Sequence, residues 1–188
     1  MLPQLPLGLY LTEHYRCFDD IVGYCNDLVY EGELEAKRGT PESPSPWGQM
    51  SFINHSNPSS KHGGSRANEG EAQLIANWLV NNFQKVIDYA RQQDGKLLSE
   101  PDEFVFKKSI GVVTPFSSQA NLIRQNIRAA KLPAVTVGTV HALQGDEKLI
   151  VLFSSVYGEN DKGTGKFYDM KPNMLNVAVS RAKACFIV

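Results

Sequence analysis

Four short segments of this 188-residue chain gather the side chains best suited to phosphate. They are His14-Tyr15-Arg16, Thr114-Pro115-Phe116-Ser117-Ser118-Gln119, the run from Gly138 to Glu147 (GTVHALQGDE), and the run from Asn176 to Lys183 (NVAVSRAK). A planar, permanently charged guanidinium, as on Arg16 or Arg181, suits phosphoryl oxygens better than an ammonium does. Hydroxyls such as those of Thr114, Ser117 and Thr139 can hydrogen-bond without adding charge. Taken singly, each residue also has a plain structural explanation. Thr114 and Ser117 suit a strand end and a helix cap, Thr139 a strand, Gln144-Gly145 a turn, and Arg181 a solvated helix face. The stem of Arg16 can cover apolar surface.

The elements that must position these residues alternate between helix and strand. Phe18, Ile21, Val22, Cys25, Leu28 and Val29 recur at three- and four-residue steps, which predicts an amphipathic helix over 17–30 that stops near Gly32. Met50–Asn54 reads as a strand. A long helix follows from Asn68 to the Asp94-Gly95 stop, with Glu71 at the capping-box spacing from Asn68. Ile110–Thr114, Val135–Thr139 and Leu149–Ser154 read as strands. Ser117 or Ser118 caps the helix between the first two, which buries Leu122, Ile123 and Ile127. Asn173–Lys183 reads as a helix and Cys185–Val188 as the last strand. The polar stretches 31–48, 54–67 and 158–172 are expected to be surface loops. Strands apolar along their whole length are buried on both faces. The expected fold is therefore α/β: a parallel sheet with helices on both faces, in one domain spanning 1–188. Such sheets take ligands outside the carboxyl ends of their strands.

Composition narrows the function further. Net charge is −1, from 19 basic and 20 acidic residues, so any polyanion site must be a local patch. Three cysteines without CxxC spacing argue against a disulfide framework or a zinc site and favour a reduced, cytoplasmic compartment. The longest apolar run, Leu149–Phe153, is far short of the ~20 residues of a membrane span. The apolar start lacks the basic region and cleavage site of a signal peptide. Both ends read as cut from a longer protein. No carboxylate cluster resembles a two-metal nuclease site.

Taken together, in this order, the segments resemble the second RecA-like motor domain of superfamily 1 helicases, nearest to the group of the nonsense-mediated-decay RNA helicase and related bacterial DNA/RNA helicases. HYRC matches the family's Q-Y-R segment, TPFSSQ its T-P-Y-x-x-Q segment, GTVHALQGDE motif V and NVAVSRAK motif VI. Asn68-x-x-Glu71-Ala72 matches another recurrent segment, and the likeness runs from about residue 8 to 188. His14 stands where Gln is usual, His141 where many members have Asp, and Ser180 where many have Thr. The resemblance implies a RecA-like sheet within an ATP-dependent helicase or translocase on single-stranded DNA or RNA, moving 5′ to 3′. It implies that Arg181 is the arginine finger and Arg16 a second phosphate contact. Gln144 and Gly145 would shape the turn near the γ-phosphate, and Glu147 would meet the ribose or relay between sites. Asn176 and Ser180 could brace the finger or simply bond each other or water. Thr114, Thr139 and Ser117 would touch the tracked strand. Arg124 and Arg128 could add to a basic patch or form a solvated face.

No phosphate loop is present in the sequence. Gly163-Thr164-Gly165-Lys166 imitates one, but Asn160 takes the first glycine position and Phe167 replaces the magnesium-binding hydroxyl. ATP and Mg2+ would thus need a first RecA-like domain in cis to hold the metal, and this chain alone would hydrolyse no ATP. The alternative is a catalytically inactive helicase-like module that only binds nucleic acid or protein. An arginine finger is worth roughly 10³–10⁵ in rate, about 4–7 kcal/mol, against at most about 1 kcal/mol for a surface ion pair.

Overall fold

A computed structural model describes residues 12–140, 146–161 and 172–188. Its centre is a five-stranded, wholly parallel sheet in the order β3-β9-β8-β6-β7. These strands are β3 (Met50–Ser51), β6 (Ile110–Thr114), β7 (Thr136–Thr139), β8 (Lys148–Phe153) and β9 (Ala182–Ile187). Side chains alternate across a strand, so each strand feeds two cores. Ile110 and Val112 of β6, Ile150 and Leu152 of β8, and Cys185 and Ile187 of β9 pack on one side. They meet the helices α2 (Glu69–Asn81), α3 (Phe83–Gln93), α4 (Asp102–Ser109) and α5 (Ser117–Ala129). Val113, Val151, Phe153 and Phe186 face the other way, onto α1 (Asp19–Cys25) and α6 (Pro172–Val179). This is a RecA-like α/β architecture with both sheet faces covered.

Several local expectations change. The long helix breaks at Asn82, whose amide nitrogen donates to the Trp78 carbonyl (2.8 Å) while its oxygen accepts from the Trp47 indole (3.1 Å). A side chain that competes for backbone groups and is held by a distant tryptophan stops one helix and starts the next. Asn68 does cap α2, accepting from the Glu71 N–H at 3.0 Å. The reciprocal half of the capping box is absent, because Gln119 takes the Asn68 N–H instead. No side chain caps α5: Phe116 is its flanking residue, and Ser117 and Ser118 are already helical. The expected loop 54–67 folds into an antiparallel hairpin, β4 (Ser60–His62) with β5 (Ser65–Ala67), turning at Gly63-Gly64. Within 31–48, β2 (Glu35–Ala36) pairs in parallel with β1 (Glu13–His14). The candidate strand at 50–54 is cut to two residues at the sheet edge. Helix α1 continues as a π-helical turn, Asn26–Tyr30, within the expected 17–30. Helix α4 has no strong apolar period, but Asp102 and Glu103 open it and Lys107 and Lys108 close it, matching the helix dipole.

The last helix is shorter than its pattern suggests. It ends at Val179, Ser180 and Arg181 form a turn, and β9 starts at Ala182 because the Lys148 N–H pairs with the Arg181 carbonyl at 3.0 Å. Between β8 and β9 the register slips by one residue, from Lys148 opposite Ala182 to Ile150 opposite Cys185. Such irregularities re-aim side chains. Here the Lys183 carbonyl accepts from the Phe18 N–H at 3.1 Å.

Candidate functional site

The sheet separates the predicted residues into two groups. Thr114 and Thr139 are register partners at the carboxyl ends of β6 and β7. Arg16, Glu147, Arg181 and Lys183 gather at the opposite, amino ends of β8 and β9. A six-residue strand is roughly 20 Å long, so these are distinct sites. Of the described candidate residues, Thr114 and Thr139 alone lie on strands at their carboxyl ends. The return of the chain from α6 into β9, and from β7 into β8, brings the second group to the other end.

Glu147 is the hub of the amino-end cluster. Its carboxylate meets Arg16 Nε at 2.5 Å and Lys183 Nζ at 3.1 Å. Partial burial would raise its pKa, but the Lys183 hydrogen bond and the charges of Arg16, Lys183 and Arg181 outweigh that and hold it below the usual carboxylate range. Arg16 Nη1 also reaches the Ser180 carbonyl at 3.5 Å, and Arg38 Nη1 donates to the Arg16 carbonyl at 2.6 Å. The Arg181 Nε is enclosed and has no hydrogen-bond acceptor among the described residues. Three cations thus surround one carboxylate in a chain whose net charge is −1. Adjacent Asp146 pairs with Lys148 Nζ at 3.2 Å. His14 lies beside them with its pKa lowered by burial and by the Arg16 charge, against a smaller upward pull from Glu147. Gln144, Gly145 and His141 lie outside the described residues, as do Gly163–Lys166.

Asn176 and Ser180 do not brace Arg181 in this arrangement. Asn176 Nδ2 donates to the Tyr30 hydroxyl at 3.1 Å, and Ser180 Oγ donates to the Val177 carbonyl at 3.1 Å. Arg124 is exposed, as a solvated face would have it, and donates to the Asn121 side chain and the Val137 carbonyl.

At the carboxyl ends, Thr139 is partly exposed and Ser117 exposed, but Thr114 is fully buried. The Thr114 hydroxyl has no hydrogen-bond partner among the described residues. Beneath them runs a polar network whose reach the linear pattern did not disclose. Fully buried Gln119 accepts from the Asn68 N–H (2.7 Å) and donates to the Asn68 carbonyl (3.2 Å) and Ser154 Oγ (3.0 Å). Glu71 accepts from the Val156 N–H at 2.8 Å. Burial raises the Glu71 carboxyl to about 7, although hydrogen bonds from Val156, Ser155 and Ser154 pull the other way. Glu71 also lines a groove of about 380 Å3 with Phe52, Leu74, Trp78, Tyr157 and Val188. The resembling segments contain both Glu71 and Gln119, which was a signal that they matter, but not that they meet.

Among the described residues no group of three or more His, Cys, Asp or Glu could hold a metal ion, and no helix is long and apolar enough to cross a membrane. The three cysteines are buried free thiols.

Comparison with known proteins adds the relatives. The family described as AAA domain matches residues 7–188. The chain is 28% identical over 191 residues to an uncharacterised ATP-dependent helicase of Caenorhabditis elegans, an alignment covering 95% of this chain and 11% of that protein. It is 28% identical over 184 residues to the RNA helicase Mov10l1 of Homo sapiens, covering 95% of this chain and 15% of that protein. It thus spans only 11% and 15% of the lengths of these relatives. The C-terminal domain of a possible DNA helicase from Lactobacillus overlays with a TM-score of 0.49 at 11% identity, covering 93% of this chain and 86% of that one.

Proposed function

The chain belongs to the AAA domain family as a RecA-like helicase motor domain of superfamily 1, and on that premise we propose that it supplies half of an ATP site in a motor that moves along single-stranded DNA or RNA. The observation that carries this reading is the group of Arg16, Arg181 and Lys183 around the single carboxylate of Glu147. That is a local anion site in a chain with almost no net charge.

In this reading ATP with Mg2+ sits against a first RecA-like domain in cis, which provides the phosphate loop and the metal ligands. Arg181 is the arginine finger, and its enclosed, unmatched Nε supports the assignment. Arg16 is the second phosphate contact, held in reach by Glu147. Gln144 and Gly145 shape the adjoining turn. Phosphoryl transfer asks the protein chiefly for positioning and for charge placed where the γ-phosphoryl oxygens develop theirs, and two fixed guanidiniums meet that need. Nucleic acid lies at the other end of the strands, on Thr139 and Ser117. Thr114 joins them only when the Pro115-Phe116 link between β6 and α5 shifts to uncover its hydroxyl. The motor runs 5′ to 3′ in the cytoplasm, and this chain alone turns over no ATP.

The test is ATP hydrolysis by the full-length protein that carries this domain, without nucleic acid and with single-stranded DNA or RNA, beside Arg181→Ala. The expected result is stimulation by one polymer and a fall of about 10³-fold or more in the variant. Stimulation with an unaffected variant would remove the finger role from Arg181. A folded protein with no hydrolysis under any condition would leave the inactive binding module.

A further inference from the structure

Arg38 lies in the 31–48 stretch, where composition points to nothing but loop, yet its guanidinium reaches the cluster from behind. Strand β2 runs beside β1, so the Glu35 N–H meets the Thr12 carbonyl at 2.8 Å and the Lys37 N–H the His14 carbonyl at 2.9 Å. That pairing delivers Arg38 to the far side of Arg16. Its Nη1 donates to the Arg16 carbonyl at 2.6 Å and to the Lys183 carbonyl at 2.8 Å. Its guanidinium carbon lies 3.9 Å from the centre of the Phe18 ring. Gly39, at φ +77°, then turns the chain away.

No carboxylate among the described residues forms an ion pair with Arg38. Its donors go to backbone oxygens of the two residues whose side chains grip Glu147. The Lys183 carbonyl is the one beside the register slip of β9, where it also takes the Phe18 N–H. Stacking on the Phe18 ring holds the planar guanidinium in one orientation while its Nη1 ties the two carbonyls together, an arrangement that a flexible ammonium reproduces only in part.

We infer that Arg38 is a positioning residue for Arg16: it locks the Arg16 backbone to the amino end of β9, so that the Arg16 guanidinium is aimed before nucleotide arrives. It touches no reacting atom itself. This inference rests on the reading of Arg16 as a phosphate contact. Its physical basis is that preorganised charge costs no rearrangement at the moment of reaction, whereas an Arg16 on a loosened segment must be ordered each time.

The test is a double-mutant cycle in the full-length protein, read as kcat and KM for ATP with saturating single strand. Arg38→Ala is expected to lower kcat about tenfold and to leave KM within about twofold. In an Arg16→Ala background the same Arg38→Ala change is expected to alter kcat by less than about twofold, because the residue it aims is gone. Arg38→Lys should recover part of the loss. Thermal melting of each variant checks folding, and if Arg38→Ala does not fold, Arg38→Lys goes through the same cycle. An equal loss in both backgrounds overturns the positioning role, since a merely structural arginine acts without regard to Arg16. So does an Arg38→Ala enzyme of full activity. An Arg16→Ala enzyme of full activity overturns the phosphate reading of Arg16, and the positioning role with it.

Discussion

The Glu71 carboxyl makes the fold itself sensitive to pH. Its pKa is raised from the ordinary 4.5 to about 7 because α2 and the strand end after β8 bury it. Below pH 4.5 both folded and unfolded chains carry its proton, and the contribution to stability is complete. Between pH 4.5 and 7 the unfolded chain has released that proton while the folded chain keeps it, so stability falls as pH rises. Above 7 the loss is constant. At roughly 1.4 kcal/mol per pH unit the full loss is about 3 kcal/mol, a sizeable part of the stability of an ordinary domain. Nearby His55, 4.0 Å from Glu71, has its pKa lowered by burial, as does His14. Those two groups act in the opposite sense: stability is lost as pH falls through their range. A bare pH profile would mix these effects, so the informative quantity is a difference. Glu71→Gln keeps an oxygen for the Val156 N–H but cannot titrate. Urea unfolding followed by the fluorescence of Trp47 and Trp78, at several pH values from 4.5 to 8, should show the variant gaining on the parent by about 3 kcal/mol across that interval. A difference constant to within about 1 kcal/mol would refute the argument that burial, rather than the surrounding hydrogen bonds, governs this carboxyl.

Two further outcomes can be measured on the same chain. A methyl group on Gly158 would collide with the Asn57 backbone carbonyl, so Gly158→Ala should cost about 1–3 kcal/mol or more in urea unfolding, and a neutral result would mean that the 57–58 turn yields freely. Burial pushes the Cys17 thiol up to about 12 and the Cys25 and Cys185 thiols to about 11, so none should be alkylated in the folded chain at pH 8 and all three should react in denaturant; rapid labelling of any one before unfolding would contradict its enclosed placement.

Much of the architecture follows from local pattern alone. The nearly continuous apolar runs at Ile110–Thr114 and Leu149–Ser154 point to strands inside a covered parallel sheet, and β6 over Ile110–Thr114 and β8 over Lys148–Phe153 lie there. Asn68 caps its helix because the capping oxygen and the Glu71 N–H belong to the same few residues. The ordered set of segments around Arg16, Thr114, Glu147 and Arg181 was enough to point to the helicase family, since such motifs keep their order along a chain.

What the tertiary structure decided is everything that depends on a partner far away in sequence. Asn82 splits a helix because Trp47 holds it. Glu71 leaves its capping box because Gln119 claims the Asn68 N–H, and it becomes a buried acid because Val156 closes over it. Arg16 and Lys183 share one carboxylate across 167 residues of chain, and they do so at the end of the sheet opposite to Thr114 and Thr139. Arg38 looks like any loop arginine until the β1–β2 pairing places it behind Arg16. Propensity, capping and burial periodicity act over a few residues and can be read in order along the chain. Desolvation, charge convergence and the sharing of hydrogen-bond donors arise only when distant segments meet, and the sheet order determines which ones do.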